Sequence, residues 1–112
     1  MAITELVERL RAGGLTLRVV GADKAGADKN NAFLTTSKKT WEQLVGLPKS
    51  REAIDRWEGV VSCERMFLRG TRDIQMQIWG DCCLQVGSYL FFGDRDLLAR
   101  IRACLRVPDR RG

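Results

Sequence analysis

Apolar and polar residues alternate most cleanly between Ile74 and Leu105. Ile74, Met76 and Ile78 take turns with Gln75, Gln77 and Trp79, which is the period of a strand. Gly80-Asp81 interrupts the run, apolar residues resume from Cys82 to Val86 and from Tyr89 to Phe92, and Gly93-Asp94 interrupts again. Leu97, Leu98, Ile101 and Leu105 then fall on one helix face. Asp94 stands where an N-cap belongs and Asp96 in the first turn. The pattern predicts a strand, a tight turn, one or two more strands, and a helix lying on their sheet. Ile74, Met76, Ile78, Leu98 and Ile101 should pack together.

The first half reads less regularly. Ile3, Leu6, Val7 and Leu10 share one face of a short helix, with Glu5 and Glu8 early and Arg9 and Arg11 late, as the helix dipole favours. Gly13-Gly14 stops it. Leu15, Leu17 and Val19 alternate as a short strand. Residues 21–31 have no period; their glycines suggest a phosphate loop, but the spacing fits no P-loop or dinucleotide fingerprint. They read as a long hairpin loop, a candidate contact site by its length. Ala32 to Thr35 is a second strand. Thr36 or Ser37 then caps a helix carrying Trp41, Leu44 and Val45, and Gly46-Leu47-Pro48 interrupts it. Ser50 caps another with Ala53, Ile54 and Trp57 on one face, ended by Gly59. Val60 to Leu68 reads as a strand whose alternation is spoiled by Ser62-Cys63-Glu64-Arg65.

These elements add up to an α+β domain over residues 1–107, with a basic tail at 108–112. Its sheet is antiparallel, of four to five strands, with helices mostly on one face. No linker-like tract or convincing repeat divides it.

Leu6, Leu10, the Gly13-Gly14 stop, Leu15-Thr16-Leu17-Arg18-Val19 and Gly21 resemble the small N-terminal docking domains of tubulysin-type peptide and polyketide megasynthases. The resemblance covers about half the chain and departs from the family in the long 22–31 loop and the second β-rich half. It implies a helix, a hairpin and a partner tail that adds as a strand near Ala32–Thr36. Phe33 and Thr35 would belong to that contact.

Composition narrows the class. Of 112 residues, 45% are hydrophobic and 29% charged, the proportions of a globular chain. No apolar run approaches the roughly 18 residues of a membrane span. Glu5 and Glu8 sit where a signal peptide would be apolar, so the expected compartment is the cytoplasm. The charge is uneven: residues 95–112 carry six arginines and two aspartates, most of the net +5.

Candidate chemistry is sparse. There is no histidine, and the four cysteines, Cys63, Cys82, Cys83 and Cys104, lack any C-x-x-C spacing. Cys82 and Cys83 in a strand would point to opposite faces, so buried thiols are the simpler reading than zinc. No metal or cofactor is expected. Asp73, Asp81, Asp94 and Asp96 sit in turn or cap positions, and no carboxylate pair is set for acid–base work. The expectation is a protein without catalytic activity.

Two binding readings remain. Arg95, Arg102 and Arg106 form a stripe on the last helix, extended by Arg110 and Arg111, that suits phosphate contact. A solvated helix face with cations near its C-terminus is the commoner case, and no helix-turn-helix, zinc-finger or RNA-recognition signature accompanies the stripe. Trp79 falls on the Gln75/Gln77 face, away from Ile74, Met76 and Ile78. Either the sheet is covered on both faces or Trp79 is exposed beside amides, as at a contact surface. The favoured expectation is a small adaptor, docking or inhibitory protein that binds another protein through Phe33, Thr35, Gln75, Gln77 and Trp79. The alternative is a nucleic-acid-associated accessory factor, or a phage or mobile-element regulator, using the arginine helix.

Overall fold

A computed structural model describes residues 3–21, 31–65, 83–87 and 89–105. The elements are α1 (Ile3–Ala12), β1 (Arg18–Val20), β2 (Asn31–Thr35), α2 (Trp41–Val45), α3 (Arg51–Ile54), β3 (Val60–Arg65), β4 (Cys83–Val86), β5 (Tyr89–Gly93) and α4 (Arg95–Leu105). The strand expected over Ile74–Ile78, and its packing on the last helix, lie outside the described residues.

The five strands form one antiparallel sheet in the order β1-β2-β3-β5-β4. This is the α+β class that the patterning predicts. Residues paired across strands share a face, so the register sorts the core into two layers. Val19, Leu34, Val61, Phe91 and Leu84 point to one side, where Leu6, Val7 and Leu10 of α1 and Leu97, Leu98 and Ile101 of α4 cover them. Val20, Phe33, Phe92 and Cys83 point to the other, together with Val60 and Leu90. There they meet Leu44 of α2, Ile54 of α3, and Trp57. Helix length is concentrated on the first side: α1 and α4 have 10 and 11 residues, α2 and α3 only 5 and 4.

Covering on both faces explains why Val60 to Arg65 lacks alternation. Val60, Val61, Ser62 and Cys63 are all buried, two against each layer, so both parities of the strand need residues that tolerate burial.

The helix stops follow local rules. Gly14 takes φ +88°, its N–H donates to the Arg11 carbonyl, and the Leu15 N–H donates to the Leu10 carbonyl at 2.8 Å. This is a Schellman stop, with Leu15 and Leu10 both buried in the same layer. Leu15 is therefore spent on the helix cap, and β1 begins three residues later than the alternation suggests. Asp94 caps α4 as expected, its Oδ1 accepting from the Leu97 N–H at 3.1 Å. Just before it, Gly93 sits at φ +144°, where a side chain would run into the Val60 carbonyl. That close approach lets the Asp94 N–H reach the same carbonyl at 3.0 Å.

Candidate functional site

The layer built by the short helices leaves a cleft of about 400 Å³ between its loops and the end of the sheet. Its lining comes from three segments. Lys39 stands on one wall, Leu47 and Pro48 on the second, and Ala53 and Arg56 on the third, with Trp57, Glu58 and Val60 between them.

Each wall is fixed by side chains bonding to backbone. The chain leaves β2 at Thr35, whose hydroxyl donates to the Gly59 carbonyl at 2.7 Å and accepts from the Ser37 N–H at 2.9 Å. The Thr36 N–H also donates to the Gly59 carbonyl, at 2.9 Å. Arg18 reaches from β1 to hold the next turn: its Nε and Nη2 donate to the Ser37 carbonyl and its Nη2 to the Lys39 carbonyl, all within 3.0 Å. Thr36 and Ser37 are thus tied to the end of the β2–β3 pair. The cap of α2 is Thr40, with a reciprocal box to Gln43: Gln43 N–H to Thr40 Oγ1, Thr40 N–H to Gln43 Oε1. The expectation of a cap at Thr36 or Ser37 is corrected by this arrangement.

On the second wall, the Trp57 indole N–H donates to the Pro48 carbonyl at 3.0 Å. On the third, Ser50 caps α3 as expected, accepting from the Ala53 N–H at 3.2 Å. Trp57 lies beyond the end of α3 and is 6% exposed, tilted against Phe33 and Phe92 with ring centres 6.5 and 6.0 Å away. Gly59 closes the floor at φ +68°, and a side chain there would come within 2.5 Å of Thr36 Oγ1. Its N–H donates to Asp94 Oδ2 at 2.7 Å, which ties the cleft to the start of α4.

The cleft walls carry charge without pairing. Among the described residues, Lys39, Arg56 and Glu58 make no salt bridge. Asp55, beside Arg56 in sequence, sits 2.7 Å from Arg95 of α4. Both members of that pair are about half exposed, which makes the bridge a weak contributor to stability.

The residues singled out by sequence scatter. Phe33 is 4% and Thr35 0% exposed, one in the aromatic layer, the other bonded to Gly59. β2 is paired along both edges, by β1 and β3, so β1 is the strand of that hairpin with an open edge among the described residues. The sheet edges among the described residues are β1 and β4. Arg95 is held by Asp55, and Arg102 is exposed on the same stripe. Gln75, Gln77, Trp79, Arg106, Arg110 and Arg111 lie outside the described residues. Sequence reasoning missed Lys39, Leu47, Pro48 and Arg56. The available signal was Pro48 between two capped helical turns, which forces a loop beside a tryptophan.

Cys63 and Cys83 face opposite layers and cannot share an ion. Burial, and then the charge of Glu64, pushes the Cys63 thiol up to about 12. Among the described residues no three metal-ligating side chains converge, and no helix is long and apolar enough to cross a membrane. Compared with protein-family models, characterised proteins and solved structures, the chain matches none.

Proposed function

We propose that this chain is a non-catalytic binding protein that docks a segment of another protein in the cleft beside Trp57. The observation that carries the reading is pre-organisation. All three walls are locked by side-chain bonds to backbone, yet their apolar lining and charged rim remain unsatisfied. Rigid walls reduce the ordering cost of binding, and a mostly apolar cleft with a few convergent polar groups is the usual form of a recognition site. Adaptor, docking and inhibitory roles all fit such a module.

The nucleic-acid reading draws on the exposed Arg100 and Arg102 of α4. It is weakened by Arg95, whose guanidinium is engaged by Asp55.

The test is capture from a cell extract with the full chain as bait, run with and without nuclease. Ala53→Arg fills one wall of the cleft and should abolish capture, while Arg102→Glu should leave it intact. Capture that survives Ala53→Arg but is lost with nuclease or with Arg102→Glu would replace this reading with the nucleic-acid one.

A further inference from the structure

Resting on that reading, we infer that the segment which docks in the cleft is an acidic peptide carrying a bulky apolar side chain. The inference follows from the charges around the walls. Two of the three walls bring a cation: Lys39 on the first and Arg56 on the third. One carboxylate, Glu58, stands against those two cations among the described lining residues. Asp55 is bonded to Arg95, and Glu58 is paired with neither Lys39 nor Arg56. Arg18 spends its own charge on backbone carbonyls, and in doing so fixes the main chain of Lys39.

An apolar cleft with an unpaired cation on each of two walls is complementary to apolar bulk flanked by carboxylates. The apolar side chain would lie on Leu47 and Pro48 above the Trp57 ring. Its flanking carboxylates would reach Lys39 and Arg56. Closing water out of the cleft strengthens those ion pairs, because charges interact more strongly as the local dielectric falls. Glu58 excludes a carboxylate from its own side and so sets the direction of the peptide.

A phage-displayed library of random dodecapeptides, panned on the full chain, tests this. Recovered peptides should place Asp or Glu beside Leu, Phe or Trp. A synthetic fluorescein-labelled copy of a recovered peptide should bind the wild type. It should lose at least about tenfold in affinity to Lys39→Glu/Arg56→Glu, and further affinity in high salt. Both substituted side chains are exposed, and thermal melts confirm that the variant is folded. Ala53→Arg, or Leu47→Arg on the facing wall, should abolish binding. Peptides blocked by either arginine but indifferent to the charge reversals would overturn the acidic partner and leave the docking reading standing. No recovered peptide, or peptides that ignore both cleft-filling variants, would overturn the docking reading and the inference with it. A labelled single-stranded oligonucleotide is run in parallel. If it binds and is lost on the Lys39/Arg56 reversal while no peptide does so, the cations serve phosphates and the inference fails.

Discussion

The two faces of the sheet are held by different physics. On one, two long amphipathic helices lay Leu6, Leu10, Leu98 and Ile101 against Leu34, Val61 and Phe91. Those helices satisfy most of their backbone groups internally, so their inner faces can be wholly apolar. On the other, helices of 5 and 4 residues are far below the length that stands alone in water. They persist because Phe33, Trp57, Phe92 and half-buried Trp41 form a cluster, and because caps and side chains satisfy the loops. A layer of turns cannot close as smoothly as a layer of helices. The cleft is on that layer, so the open surface and the face covered by long helices lie on opposite sides of the sheet.

The largest effect should come from the helical face. Ile101→Ala removes a side chain with no exposed surface and should cost about 2–5 kcal/mol in denaturant melts. A loss below about 0.5 kcal/mol would mean that α4 does not carry that face.

Next is the aromatic face. Trp57→Phe keeps a ring but leaves a smaller one and removes the bond to the Pro48 carbonyl, and should cost about 1–3 kcal/mol. If the faces are distinct, amide exchange should speed up over residues 46–58 well before it does in α1 and α4. Uniform acceleration would collapse the distinction.

The third effect is confined to alkaline pH. In the unfolded chain the Cys63 thiol ionises near 9.0; folded, it keeps its proton to about 12. Unfolding in that window releases a proton. The stabilisation is whole below pH 9 and is lost as pH rises towards 12, by at most about 1.4 kcal/mol per pH unit. Cys63→Ala should flatten the slope between pH 9 and 11 in urea melts, and an unchanged slope would place its origin elsewhere.

The smallest is a cap. Ser50→Ala should cost about 1 kcal/mol and act on the aromatic face alone. Loosening of α1 by this change, seen in amide exchange, would join what the comparison separates.

Sequence legibility follows the same division. Leu97, Leu98 and Ile101 behind Asp94, and the Gly13-Gly14 stop, could be read because a helix face and its ends are encoded within a few neighbours. Thr35, Thr36, Ser37 and Thr40 are all chemically able to cap a helix. Gly59, some twenty residues away, decides among them by engaging Thr35 and Thr36. The cleft was illegible for a related reason: Lys39, Pro48 and Arg56 meet only after three separate segments are pinned. Phe33 and Thr35 read as surface candidates because nothing local reveals that β2 is flanked on both sides.

The meeting of α1 and α4 has a consequence for synthesis. The Gly13 carbonyl lies 3.8 Å from Cys104 Sγ, across 91 residues of chain. Leu34, Val61 and Cys63 emerge from a ribosome with β2 and β3, whereas their cover begins at Arg95. Translation at roughly 5–20 residues per second makes the wait at least about 2–6 seconds. Through that interval the nascent sheet displays apolar strands with one helix to shield them, which is the kind of surface chaperones hold. The face that holds the finished protein most firmly is the one left bare longest while it is made.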